Sequence, residues 1–403
     1  MIDYYKPIYS ASSLNMKSSV IRDMFRLTSD PEMISFAGGL PGAEAFPVNE
    51  LQEIINKAIL RNGSSVFQYG TTEGYSPLRE SISQLMDNVY GLSTNPENVL
   101  VTSGSQQALY LLCKILVNPG DVVITENPTY VGALSTFRSF MADIHAVDMN
   151  EQGMDTPALE QRIGELVRSG KKPRLIYTIP SIHNPTGLTM GIIQRHMLYD
   201  LASKYDLLIV EDDPYGMIRY DGLKIPPVKK LDIEGRVVYL GSFSKTVSPG
   251  LRTGWIAGQK DIIRRCVIAK QGEDTCSGTL SQFIINDFIT DGSIYSQIER
   301  VKKIYSKKRD LMKDCIDKMI PSASYTLPQG GLFLWVTLGG ITDTSLLLKK
   351  SLDKKVAFVP GEAFYPGYGG QSSLRLNFSY PDCNEIEAGI KRIAVVINEA
   401  NDH

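Results

Sequence analysis

The sequence is poor in the residues that build disulfide frameworks and metal centres, with five cysteines and four histidines in 403 residues. Cys113, Cys266, Cys276, Cys315 and Cys383 are scattered, odd in number and never in C-x-x-C spacing. That pattern argues against a disulfide scaffold or a zinc site and for a reducing, cytoplasmic compartment. His183 and His196 lack the i, i+4 partner or second carboxylate that would complete a metal site, so no metal is expected. No apolar run approaches the roughly 18 residues of a spanning helix, and Met1-Ile-Asp-Tyr-Tyr-Lys-Pro lacks the basic and then apolar order of a secretory signal. No membrane partner is expected. A basic surplus is missing too: lysine and arginine total 42 against 44 aspartates and glutamates, a formal charge of -2. Nothing in that balance suits a run of phosphates, and nucleic acid is not an expected partner. Neither G-x-x-x-x-G-K-[ST] nor G-x-G-x-x-G occurs, which leaves nucleotide-binding readings without support.

What is present is a globular composition, 43% hydrophobic and 21% charged, with short β-branched runs alternating with helical stretches. Strands are expected at Asn98–Thr102, Asp121–Thr125, Arg174–Thr178, Leu207–Val210, Val237–Leu240 and Gly254–Ala257. Helices are expected at Ser105–Leu116, Tyr130–Phe140 and Ile192–Tyr205. Strands this apolar on consecutive positions need cover on both faces, which predicts an α/β fold with a mostly parallel central sheet and helices on both sides. The texture then changes. A charged helical tract at Ser293–Met312 precedes strands at Gly331–Val336, Val356–Val359 and Ser373–Asn377 and a closing helix near Glu385–Ala400, which reads as a smaller α+β domain. The turn-rich Ala37–Gly42 leads into a helix over Val48–Leu60. The expected division is an N-terminal segment, 1–45, joining the small domain, a large ligand-binding domain, 46–290, and a small C-terminal domain, 291–403.

Four segments follow expected strands and carry chemistry. In Gly241-Ser-Phe-Ser-Lys-Thr246, Lys245 sits where α/β sheets place ligands, and burial would favour the neutral amine that reacts with a carbonyl. Ser242, Ser244 and Arg252 stand near enough in sequence to hold a phosphate beside it. Taken alone, the string also suits a surface lysine in a polar turn. In Leu207-Leu-Ile-Val-Glu-Asp-Asp-Pro-Tyr-Gly216 an apolar strand ends in three carboxylates, which must be solvated, paired or liganded. Metal binding is one candidate, without the partners to complete it; the alternative is that one carboxylate pairs with a protonated heterocyclic nitrogen, in which case Asp212 and Tyr215 could both face one ring, with Glu211 and Asp213 expected to point elsewhere. Asn184, in Tyr177-Thr-Ile-Pro-Ser-Ile-His-Asn-Pro-Thr-Gly187, offers an amide donor, although Asn-Pro-Thr-Gly is ordinary turn chemistry. Thr102-Ser-Gly-Ser-Gln-Gln107 is a glycine turn entering a helix whose first N–H groups suit an anion.

In order and content these segments resemble the class I and II aminotransferases of fold type I, which use pyridoxal 5'-phosphate, and within them the 2-aminoadipate and kynurenine aminotransferase branch. The resemblance runs from about Arg22 to the C-terminus. It implies that Lys245 bonds to the cofactor and moves the proton at the substrate Cα, and that Asp212 pairs with the pyridine nitrogen. Tyr215 and Asn184 would bond the ring oxygen, and Tyr130 would stack on the ring. Gly104, Ser105, Gln106, Ser242, Ser244 and Arg252 would hold the phosphate. Arg375 would grip the substrate carboxylate through a two-pronged contact. Tyr69 would reach the cofactor phosphate of a neighbouring subunit, implying a homodimer with shared sites. Arg22 and Gly39 resemble a substrate-covering segment. The implied reaction is a ping-pong transfer from an aromatic, 2-aminoadipate-like or branched L-amino acid to a 2-oxo acid such as 2-oxoglutarate, in amino acid metabolism. The alternative on the same fold is a C–S β-lyase or a decarboxylase.

Overall fold

A computed structural model describes residues 8–16 and 30–401. Its strands, in chain order, are β1 (Ile34–Ser35), β2 (Val99–Thr102), β3 (Val122–Asn127), β4 (Asp143–Asn150), β5 (Gly153–Met154), β6 (Leu175–Thr178), β7 (Leu208–Asp213), β8 (Val237–Ser242), β9 (Gly254–Ala257), β10 (Ala323–Thr326), β11 (Phe333–Leu338), β12 (Val356–Ala357), β13 (Val359–Pro360) and β14 (Ser373–Asn377).

Strands β2 to β9 form one sheet in the order β2-β9-β8-β7-β6-β3-β4-β5. The five strands from β8 to β4 are parallel, whereas β9 runs antiparallel to both neighbours and β5 antiparallel to β4. Both faces are covered. Leu100, Tyr177, Val210, Leu240 and Ile256 pack with side chains of helices Ser105–Leu116, Val131–Ser139 and Lys260–Gln271. On the other face Val99, Tyr239 and Trp255 meet helices Val48–Asn62, Ser76–Tyr90 and Thr279–Thr290. Ile124, Ile176 and Ile209 on that face meet helices Thr156–Arg168 and Ile192–Lys204. This is the expected mostly parallel sheet, and its parallel strands deliver their carboxyl ends to one edge.

A second sheet, β10-β11-β14-β13, packs with helices Ser293–Met319, Thr344–Asp353 and Cys383–Asn401. Ile34, Phe36, Ala37 and Ala45 belong to the same apolar cluster, and β1 pairs with β12 in parallel. The sequence expectation did not include β1, β5, β10 or helices Ser76–Tyr90, Thr156–Arg168, Lys260–Gln271, Thr279–Thr290 and Thr344–Asp353, and other details differ as well. Strand β4 was not expected, because its half-exposed Asp-Ile-His-Ala-Val-Asp-Met-Asn lacks an apolar run. Strands β7 and β8 continue through Asp213 and Ser242, since partners satisfy their polar side chains. Val356–Val359 divides into β12 and β13, which pair with different strands. Among the described residues no helix is long and apolar enough to cross a membrane.

Candidate active site

The loops after β2, β6, β7 and β8 open onto a cavity of about 700 Å³. Gly39, Gly104, Ser105, Gln106, Tyr130, Asn184, Asp212, Tyr215, Ser242, Ser244, Lys245, Arg252 and Arg375 all line it. Two expected residues are not there. Tyr69 lies in a separate open hollow with Phe67, Gln68 and Thr279, and is 80% exposed. Arg22 lies outside the described residues.

Alternation along β7 sorts its three carboxylates. Glu211 accepts the Val228 and Lys229 backbone N–H groups at 2.8 and 2.7 Å and lies 3.8 Å from buried Arg195. Asp213 accepts from the hydroxyls of Tyr90 and Tyr239 at 3.0 and 2.8 Å and from the Gly216 N–H at 2.9 Å. Asp212 projects to the opposite face, where the Tyr177 hydroxyl donates to its Oδ2 at 2.7 Å. The register explains the meeting: Tyr177 of β6 is level with Val210 of β7, so Tyr177 shares a face with Asp212. Burial pushes the Asp212 carboxyl up to about 7, opposed by the Tyr177 hydrogen bond and assisted by the charges of Asp213 and Glu126. Among the described residues its Oδ1 has no hydrogen-bond partner, so one oxygen remains for a donor in the cavity.

Lys245 reaches in from the turn after β8, and its Nζ donates to the Gly39 carbonyl at 2.7 Å. Desolvation, reinforced by Arg375 and Arg252, lowers its amine to about 8. Arg375, on the central strand β14, is 1% exposed. It donates from Nη1 to Asn184 Oδ1 and from Nη2 to the Ala37 carbonyl, both at 2.9 Å. Its guanidinium lies 3.9 Å from the Phe333 ring centroid and 4.9 Å from that of Phe364. Burial lowers it to about 10, a value that still leaves the cation fully charged at neutral pH. Burial holds the Tyr215 phenol above its ordinary range, opposed by the Arg375 charge and, more weakly, by the Asn184 side chain.

The other end of the cavity is an anion cradle. Helix Ser105–Leu116 starts at Gly104, whose φ of +84° and ψ of 168° aim the first-turn N–H groups into the cavity. A Cβ at Gly104 would stand 2.8 Å from Arg252 Nη2, so a side chain there would fill the cradle. Arg252 donates to the Ser103 carbonyl at 2.8 Å, and Ser242 and Ser244 join their hydroxyls at 3.0 Å beside it. Pyridoxal phosphate fits this set on three observations: a cradle kept open by glycine, an unpartnered buried carboxylate oxygen, and a desolvated amine lining the same cavity.

Sequence reasoning did not single out Tyr177 or Phe333, nor the wall formed by Met16, Val131, Ser135 and Ser139. Tyr177 had a signal, a tyrosine of the right parity one strand from the carboxylate. The wall had none, since Met16 arrives by way of Ser12, whose hydroxyl donates to the Ser139 carbonyl at 2.6 Å across 127 residues.

Known proteins carry the same arrangement of chain. A family model described as aminotransferase class I and II matches residues 36–393. The sequence is 41% identical over 396 residues to aromatic-amino-acid aminotransferase 1 of Thermococcus litoralis, covering 98% of this chain and 95% of that one. It is 35% identical to the 2-aminoadipate transaminase of Thermus thermophilus, covering 94% and 93% of the two chains. The fold superposes with a TM-score of 0.94 on a kynurenine aminotransferase of Pyrococcus horikoshii, solved with PMP, at 39% identity and 99% coverage of both chains.

Proposed function

Since the chain belongs to the class I and II aminotransferases, we propose that its cavity exchanges an amino group between an L-amino acid and a 2-oxo acid with Lys245 as the proton-moving group. The activity is pyridoxal phosphate-dependent transamination. The cofactor, when bound, supplies an aldehyde carbon and an electron-withdrawing ring for the pair released at the substrate Cα. The rest is done by the chain. The observation that carries the assignment of roles is the meeting in one cavity of the Lys245 amine, the open Asp212 Oδ1 and the Arg375 cation.

Lys245, lowered to about 8, is poised near neutrality to take a proton from Cα and return it elsewhere. Asp212 offers Oδ1 to a ring nitrogen and would keep that nitrogen protonated, and Tyr177 holds the carboxylate by its other oxygen. Asn184 and Tyr215 would fix the ring oxygen and Tyr130 its face. The Gly104–Gln106 helix start, Ser242, Ser244 and Arg252 would bind the phosphate. Arg375 would orient the substrate carboxylate, which leaves the Cα–H bond as the one to break and favours transamination over decarboxylation; β-elimination begins at the same bond, and it is the aminotransferase names of the relatives that favour transamination over it. Donors of the aromatic, 2-aminoadipate-like or branched type are supported by the relatives' names, with 2-oxoglutarate as an acceptor.

The same reading makes 46–290 the cofactor-binding unit and joins 1–45 to 291–403, supported by the separate apolar cluster that unites Ile34, Phe36 and Ala45 with β11 and β14. It also makes the protein a cytoplasmic homodimer whose partner subunit would bring Tyr69 to the phosphate. A half-reaction screen tests the function: holoprotein is mixed with each amino acid, the cofactor absorbance is followed, and the released acid is identified by mass. Production of the matching 2-oxo acid from aromatic or 2-aminoadipate donors is expected. Release of carbon dioxide or an eliminated side chain in its place overturns the reading.

A further inference from the structure

One buried cation has no part in the roles above. Lys270, at the end of helix Lys260–Gln271, is fully buried and ion-paired with Asp274 four residues on. Lys270 is fully buried while the Asp274 side chain is 26% exposed, and burying the lysine cation costs desolvation that cancels much of the attraction. What Asp274 touches gives the pair a different purpose. Its Oδ2 accepts from Gln107 Nε2 at 2.7 Å and from the Ser103 hydroxyl at 3.4 Å. Gln107 Oε1 accepts the Ser103 backbone N–H at 2.7 Å, and Glu273 Oε1 is a second acceptor for Gln107 Nε2 at 3.3 Å. The Ser103 carbonyl is the atom that receives Arg252 Nη2. The helix start and the arginine, the two halves of the anion cradle, therefore meet at Ser103. Asp274 holds that residue from behind, with Lys270 fixing Asp274 in turn. Lys270, Asp274, Ser103 and Gln107 do not line the cavity themselves.

We propose that the Lys270–Asp274 pair is a positioning device for the cofactor phosphate: it fixes Ser103 so that Arg252 and the first-turn N–H groups of Ser105 and Gln106 converge on one anion before it arrives. The inference rests on the reading of this cradle as the phosphate end of the cofactor site. Its physical content is preorganisation. Arg252 is exposed and long, and an untethered arginine loses rotamer freedom on binding, whereas one already bonded to Ser103 does not. The pair acts on the phosphate alone, since its contacts reach neither Lys245 nor Asp212.

The test uses full-length protein stripped of cofactor and titrated separately with pyridoxal phosphate and with pyridoxal, which lacks the phosphate, following absorbance of the bound ligand. Asp274→Ala is expected to raise the dissociation constant for pyridoxal phosphate about 10-fold while that for pyridoxal stays within about 2-fold. Asp274→Asn keeps an acceptor for Gln107 and Ser103 but no charge for Lys270, and should fall between. Gln107→Met cuts the link with the ion pair intact and gives the same phosphate-selective loss, which covers the case in which an Asp274 variant does not fold. Equal weakening of both ligands in these variants, or no weakening, overturns the inference. A wild-type protein that binds pyridoxal as tightly as pyridoxal phosphate overturns the phosphate reading of the cradle itself.

Discussion

Lys245 and Asp212 carry opposite shifts for the same reason, loss of water around a charge. The amine reacts with carbonyls only when unprotonated, so capture of pyridoxal phosphate by cofactor-free protein should speed up about 10-fold per pH unit below about 8 and level off above it. Stopped-flow absorbance measures this, and a rate still climbing past pH 9 would contradict the lowered amine. The linkage to stability has two signs. Folded protein binds fewer protons at Lys245 between about 8 and 10.5, so stability from this group rises with pH through that window. Folded protein retains the Asp212 proton up to about 7, whereas the unfolded chain releases it near 3.8, so this group's contribution falls as pH rises between those values. Tyr177 opposes the Asp212 shift by donating to it. Tyr177→Phe should therefore leave the cofactor bound, push Asp212 further up and slow the amino-donor half-reaction about 10-fold, the worth of one hydrogen bond to a charged group. An unchanged half-reaction rate with intact binding would remove Tyr177 from the mechanism.

At the scale of the element, the proposed roles make β7 a sorter, with one face for the reaction and one for the fold. Because Tyr239 satisfies Asp213 on the far face, Tyr239→Phe should lower unfolding stability by about 1–3 kcal/mol yet keep the half-reaction rate per folded molecule within about 2-fold. Denaturant unfolding and single-turnover kinetics on one sample separate the two, and a slowed reaction at unchanged stability would refute the division of faces. How much of this was legible follows from which signals are local. Continuous apolar runs gave β2, β3, β6, β7, β8 and β9, and the residues at their carboxyl ends and in the turns beyond brought out Lys245, Asp212, Asn184 and Gly104. Strand β4 stayed hidden because an edge-side strand alternates polar and apolar residues without a run. The Lys270–Asp274 pair lay within a helix end that reads as an ordinary i, i+4 surface pair, and only tertiary packing makes Lys270 inaccessible. Arg375 looked like any strand arginine facing water until family resemblance, and then burial between Phe333 and Phe364, gave it a purpose.

For the whole molecule, the exposed Phe67 and Tyr69 beside the open hollow at Cys276–Ser281 agree with a subunit contact in the proposed dimer. If Tyr69 serves the neighbour's phosphate, mixing a Tyr69→Ala chain with a Lys245→Ala chain, each weak or inactive alone, should restore activity. The heterodimer then has one site with Lys245 from the first chain and Tyr69 from the second. No recovery after verified subunit exchange would place Tyr69 outside the site. A last consequence comes from the way Arg375 is held. A single guanidinium joins Asn184, the Ala37 carbonyl and two aromatic rings, contacts drawn from segments up to 338 residues apart. Altering it would disturb Asn184 and the backbone at Ala37 together with the carboxylate contact proposed for it. Among the described residues the side chains of Met16, Val131, Ser135 and Ser139, which wall the cavity, make no hydrogen bond to Lys245, Asp212 or Arg375. If Arg375 is the clasp for the carboxylate common to every amino acid, as proposed above, a change of donor preference has freer rein at the wall than at the clasp.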